Sequence, residues 1–210
     1  MTRLRRRDRT ITRSPWARVY ARTPNEYIWG TEPSPRARSV SALLRPGARV
    51  LELGCGEGRD SVFFASCGFE VTGVDVSAAG LRKADRLARA YGVTVRWVHG
   101  DAAHWLVAGP FDLVYSCGVI HYVPKRRRAR LIRQLQRETG ADGYHSHVVF
   151  TEQSIYVEHG ELIDYFTEGE LRGAYADWLI LDCARAFITC AQDGTEHRHS
   201  VEHILARKVS

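Results

Sequence analysis

The sequence has no run of about 18 consecutive apolar residues, the length a transmembrane helix requires, so a spanning helix of that kind is excluded. Lysine is nearly missing: 27 of the 30 basic residues are Arg, a bias that fits a GC-rich coding sequence better than any chemical purpose. The five cysteines (Cys55, Cys67, Cys117, Cys183 and Cys190) are odd in number and contain no CxxC pair, so no disulfide framework is expected. The N-terminal MTRLRRRDRTITR carries positive charge with no apolar stretch behind it, so no secretory leader is expected either. Together these absences point to reduced thiols in a cytoplasm. What remains is 210 residues, 44% hydrophobic and 26% charged, enough to bury a core without disulfides or metals.

The net charge of +6 is unevenly placed. Six arginines (Arg3, Arg5, Arg6, Arg7, Arg9, Arg13) face only Asp8 within residues 1–13, leaving a nearly neutral body behind a basic tail. Residues 1–13 therefore read as a disordered tail, and 14–47 as an aromatic arm with a short helix stopped by Pro46-Gly47. Residues 48–210 read as one domain. Strand-like runs at 49–53, 69–74, 93–98, 111–115 and after Gly143 alternate with helical patterns at 58–66, 77–91 and 124–138. That alternation predicts a parallel sheet of right-handed βαβ units. A helix near 167–175 then leads to two extended runs, 178–189 and 195–206, around Asp193-Gly194, which predicts an antiparallel hairpin.

The segment Val50–Asp60 runs from an apolar strand through Gly54-Cys55-Gly56-Glu57-Gly58 into a helix. Glycines permit a sharp turn close to a ligand, and a helix N-terminus offers free N–H groups. A dinucleotide site would space its third glycine one residue later, and the carboxylate of Glu52 opposes a pyrophosphate but suits a cationic amino acid moiety. Asp75 ends the second strand, where a carboxylate accepts from both hydroxyls of a ribose. Asp101 follows the third strand, placed to accept from an adenine amino group. A glycine turn with acids at successive strand ends thus describes a ligand with a cation, a ribose and an adenine.

LELGCGEGRDSVFFASCGFEVTGVDVS, followed by GDA and FDLVYSCGVIHYV, resembles the class I S-adenosylmethionine-dependent methyltransferases over roughly residues 16–208. The resemblance implies an α/β, Rossmann-like, doubly wound seven-stranded sheet with an antiparallel C-terminal hairpin strand. It implies S-adenosyl-L-methionine as cofactor and S-adenosyl-L-homocysteine as product. Gly54, Gly56 and Gly58 would serve the methionine part, Asp75 the ribose, and Asp101 with Ala102 the adenine. Cys117 would lie where backbone meets the methionyl end, and Trp29, Cys55, Arg59 and Val76 complete the expected cofactor-binding set. The chain is also similar to the tellurite-resistance methyltransferase group through Gly-Cys-Gly-x-Gly-Arg, Glu168–Arg172 and Leu205–Lys208. That group carries a His-Arg pair on the penultimate strand and an Arg on the last; here Ile188, Thr189 and Ser200 fall at those places.

Methyl transfer from a sulfonium is an in-line displacement that needs alignment and exclusion of water more than a base. The expected acceptor is a small molecule bound beyond the strand ends, near Cys117–Tyr122, the 151–166 loop and the hairpin tip at 190–197, with the aromatic arm 16–29 as a lid. His121 is the candidate base, and Tyr20, Tyr122, Tyr156 and His197 are the candidate substrate contacts, with His159 and Glu161 beside Tyr156. The run KRRRAR at 125–130 reads as a solvated helix face. An RNA methyltransferase using the basic tail, and a non-catalytic protein that binds the cofactor, are the alternative readings; a nucleic-acid partner and a membrane are not expected, and the oligomeric state is left open.

His145 and His147 alternate on the fifth strand, and His197, His199 and His203 share one parity on the last. If those strands are antiparallel neighbours, the two sets face each other and form a conceivable zinc site. Methyl transfer needs no metal, and no carboxylate or cysteine is spaced to complete such a site. No metal is therefore expected, and only His197 should approach an acceptor.

Overall fold

The computed structural model describes residues 15–104, 108–153, 164–190 and 196–209. Its strands are β1 (Arg49–Leu53), β2 (Glu70–Asp75), β3 (Arg96–His99), β4 (Phe111–Cys117), β5 (Thr139–Phe150), β6 (Leu179–Cys190) and β7 (His197–Arg207). They form one seven-stranded sheet in the order β3-β2-β1-β4-β5-β7-β6. The first five strands are parallel, and β7 runs antiparallel to both β5 and β6. The helices are α1 (Pro15–Arg22), α2 (Pro35–Ser41), α3 (Arg59–Ser66), α4 (Ala78–Ala90), α5 (Lys125–Arg137) and α6 (Glu170–Gly173). This is the doubly wound sheet with a terminal hairpin that the alternation of patterns predicts.

Both faces of the inner strands are covered, which is why β1 and β4 read as continuous apolar runs. Val50, Leu113 and Tyr115 join Phe64 and Val71 on one face, while Leu51, Leu53 and Val114 join Leu131 and Leu135 on the other. Each fully buried Leu or Phe contributes about 1.5–3 kcal/mol relative to an exposed one. The helix α4 starts where its cap predicts: the Ser77 hydroxyl accepts from Gly80 N at 3.0 Å. Leu81, Ala84, Leu87 and Ala88 form its buried stripe.

Four expectations need correction. The helix near 167–175 shrinks to the single turn of α6, because Gly169 takes a left-handed φ of +75° at its start and a turn follows Gly173. The fifth strand begins at Thr139, with Asp142 at φ +60° and a register shift against β4. Such a bulge is invisible to a period-two pattern. The basic run on α5 is not wholly solvated: Arg128 is buried, with its guanidinium 3.0 Å from Glu170 and 4.1 Å from the Phe166 ring centre.

The fourth correction concerns the histidines. His147 pairs with Ile204 and Val148 with His203, so odd residues of β5 share a face with even residues of β7. The two histidine sets therefore sit on opposite faces of the sheet. His145 and His147 are buried, with His147 Nδ1 2.8 Å from Ser116 Oγ and His145 bonded to Thr139 Oγ1 and Tyr175 OH at 2.8 Å each. Burial lowers the pKa of His147 to about 3 and that of His145 well below its usual value, so both rings are neutral.

Candidate active site

The carboxyl ends of β1, β2 and β4 converge on the glycine turn. Its backbone is pinned to β2: Gly54 N and Cys55 N donate to Val74 O at 2.7 and 3.1 Å. Asp75, at the end of β2, accepts from Gly56 N at 2.9 Å through one oxygen and from Ser77 N at 2.7 Å through the other. Burial raises its pKa, and these backbone donors oppose the rise. Gly56 has a φ of +54°, and a Cβ there would stand 2.8 Å from the Tyr20 hydroxyl. Gly58 combines both constraints, with a φ of +87° and a Cβ position that would meet Ala84 of α4 at 2.6 Å. Val76 carries the next carbonyl, which accepts from His99 Nε2 at 2.9 Å. Asp101 closes a turn, accepting from Ala103 N and His104 Nδ1 at 2.8 Å, and holds Ala102 beside it.

Glu52 is buried within β1 and accepts from Ser61 Oγ. Burial first, then the neighbouring Asp60 charge, raises its pKa to about 8. Desolvation and a like charge both favour the neutral carboxyl there. Cys117 at the end of β4 is half-buried, and desolvation, then the Asp60 charge, pushes its pKa up to about 11, which keeps it a thiol at neutral pH.

The arm closes over this edge. Tyr20 is buried against the glycine turn, which moves it from the expected acceptor side to the cofactor side. Trp16 Nε1 donates to Tyr122 OH at 2.9 Å, tying α1 to the turn Ile120–Tyr122 after β4. The Trp29 carbonyl accepts from Arg59 Nη1 at 3.1 Å, and its ring lies 5.2 Å from that of Trp16. Sequence reasoning missed the buried ion pair Lys83–Glu57 and the Asp60 carboxylate, which accepts from Ser34 N at 2.7 Å, Ser34 Oγ at 2.8 Å and Tyr115 OH at 3.0 Å. The available signal was an acid inside the turn, Glu57, and another in the first turn of α3. Both lock the arm and α2 onto the sheet.

His121 is placed for a role other than the expected base. It is fully buried, its Nδ1 accepts from Phe150 N at 3.1 Å, and its ring stacks on Phe150 at 4.2 Å. Burial, Arg128 and His199 lower its pKa to about 3. With Nδ1 engaged the proton sits on Nε2, which has no hydrogen-bond partner among the described residues. Such a ring donates and does not accept a proton near neutrality. Tyr156, His159 and Glu161 lie outside the described residues. His197 begins β7 at the same sheet edge, opposite Cys190. No cysteine is expected near these histidines, but β6 runs one residue further than predicted and brings Cys190 beside them.

A family model described as a methyltransferase domain matches residues 50–143, the stretch from β1 into the start of β5. A probable S-adenosyl-L-methionine-dependent methyltransferase, TehB of Haemophilus influenzae, is 24% identical over 143 residues, covering 68% of this chain and 50% of that protein. Hemagglutinin 1 of Eikenella corrodens is 28% identical over 133 residues, covering 63% of this chain and 44% of that protein. The crystal structure of TehB from Haemophilus influenzae superposes with a TM-score of 0.73 at 21% identity, over 82% of this chain and 61% of that chain. The chain carries a methyltransferase domain over residues 50–143. It is similar to the TehB-like members and spans half or less of the length of these two curated relatives. S-adenosylmethionine is the cofactor of this family, and the donor set here fits it. Asp75 keeps lone pairs beyond its two backbone donors with which a diol could bond, and Glu52 is an acid buried in the strand that leads into the glycine turn. No helix among the described residues is long and apolar enough to cross a membrane.

Proposed function

We propose that this chain methylates a small-molecule acceptor by in-line displacement, in a cytoplasm. The carrying observation is the covering of the strand-end edge by Trp16, Tyr20 and Tyr122, and a covered edge favours a small acceptor over a polymer. When bound, S-adenosylmethionine supplies a methyl group already activated on a sulfonium. Asp75 holds the ribose hydroxyls, Asp101 and Ala102 flank the adenine, and Glu52 beside the glycine turn takes the ammonium. Trp29 and Arg59 fix the arm above them. Tyr122 and His197 orient the acceptor, and no general base is required. The RNA reading is weakened because Arg128 is spent on Glu170 and Lys125 Nζ lies 3.5 Å from the same carboxylate.

Incubation with methyl-labelled cofactor and a panel of thiols, phenols, amines, carboxylic acids and oxyanions tests the reading. Turnover on a small organic acceptor is expected. Turnover on RNA alone, or tight cofactor binding with no turnover on any acceptor, would overturn it. Tellurite and selenite should be poor acceptors, because Ile188, Thr189 and Ser200 stand where the tellurite-resistance group carries its His-Arg pair and Arg, and none of the three bears a charged side chain to pair with an oxyanion. Volatile methylated tellurium or selenium at rates matching the best organic acceptor would contradict that expectation.

The raised pKa of Glu52 gives a second check. Below about pH 8 its carboxyl is mostly protonated without a cation, and an ammonium beside it favours the ionised form. Cofactor binding at pH 7 should therefore release close to one proton. Calorimetry in buffers of different ionisation enthalpy reads it directly; a binding heat independent of buffer would show that Glu52 does not meet the ammonium. Glu52→Gln should bind with no such release.

A further inference from the structure

We propose that Cys190, His197 and His199 form a zinc site at the strand-end edge of the sheet. The antiparallel register sets Cys190 directly opposite His197, and His199, two residues on, shares that face. The Nε2 atoms of His197 and His199 approach to 2.9 Å, with the rings nearly perpendicular at 89°. One donor atom from each of the three residues lies within 4.8 Å of the others. A tetrahedral zinc with Zn–N of about 2.0–2.1 Å and Zn–S of about 2.3 Å spaces its donors roughly 3.3–3.6 Å apart. The three side chains need only small rotations to reach that spacing.

The donor chemistry selects the metal. Two imidazoles and a thiolate suit zinc and exclude the hard cations that prefer oxygen. His199 is buried and stacks on Phe150 at 4.3 Å, which holds its ring while His197 and Cys190 remain half-buried and reachable. These residues lie at the same edge as the ends of β4 and β5, because β6 runs parallel to them and finishes at Cys190. Two strand spacings, roughly 10 Å, separate β7 from β4. Three protein donors leave a tetrahedral ion one open position. Resting on the small-molecule reading above, that position takes an anionic donor of the acceptor, a thiolate or carboxylate, and anchors it beside the cofactor cleft.

The test uses the untagged full-length chain, dialysed against zinc and then against metal-free buffer. About one zinc per chain should remain. Cobalt in its place should give tetrahedral ligand-field bands and a thiolate charge-transfer band, the latter lost in Cys190→Ser. Loss of a direct ligand in Cys190→Ser or His199→Gln should weaken zinc binding by more than the roughly 10–100-fold typical of outer contacts. Circular dichroism and cofactor affinity, both unchanged in Cys190→Ser, guard against a folding defect. A parent chain without stoichiometric zinc, or variants that retain it, overturns the site. A chain that binds the cofactor but no zinc leaves the methyltransferase reading standing, whereas zinc without cofactor binding breaks that reading and keeps the site.

Discussion

Replacing Asp75 by Ala is expected to weaken S-adenosylmethionine binding by about 100-fold or more. A carboxylate that accepts both ribose hydroxyls supplies charge-assisted hydrogen bonds worth about 1.5–3 kcal/mol each, and the variant loses both. It also loses the two backbone bonds from Gly56 and Ser77 that hold the glycine turn against β2. Asp75→Asn separates the two effects, because it keeps one oxygen for the backbone while removing the charge; it should fall between the parent and Asp75→Ala. Titration calorimetry measures the affinities, and a thermal melt at pH 7 monitors the fold. Binding within twofold of the parent in an Asp75→Ala protein that melts normally would mean that Asp75 serves only the turn.

Acidification should unfold this protein well above the pH at which its carboxylates are all protonated. His121 and His147 have pKa values of about 3 in the folded chain, and His145 is also depressed, all through burial first. The unfolded value is about 6.5. A depressed histidine leaves the unfolded chain binding the extra proton, so stability is intact above about pH 6.5 and drains as pH falls toward 3. Each ring costs up to about 1.4 kcal/mol per pH unit in that window. Glu52 acts in the opposite sense. Its raised pKa contributes stability that is present below its unfolded value and lost as pH rises toward 8, so it offsets one histidine on the way down. The net slope is about 2–3 kcal/mol per pH unit, set against a total of about 5–15 kcal/mol for a typical domain. Urea unfolding at pH 7, 6 and 5 should show the midpoint falling by a large fraction. Equal midpoints at pH 7 and pH 5 would refute the burial of three neutral imidazoles.

How much of this was legible in the sequence depends on the range of the interaction involved. The glycine turn, the Ser77 cap and the strand runs 49–53 and 111–115 are local patterns, fixed by backbone geometry and by residues a few positions apart. They appear in the fold within a residue or two. The same holds for Asp75 and Asp101, whose place at strand ends follows from where the apolar runs stop. The histidines show the limit. Alternation along β5 and along β7 was correct within each strand, yet the relative parity of the two strands is a register, and a shift of one residue moves a whole set to the other face. The environment of His121 was equally out of reach, because its burial comes from Phe150 and Arg128, 29 and 7 positions away.

The sequence by itself determined the order of strands and helices, the ligand type implied by a glycine turn with strand-end acids, and the kinship with methyltransferases. Only the tertiary structure decided that Tyr20 guards the turn, that His121 is a neutral donor, and that Cys190 stands beside His197. The physical reason is that composition and periodicity report what each residue prefers, whereas desolvation, register and convergence of donors depend on which distant segments the packed sheet brings within a few ångströms.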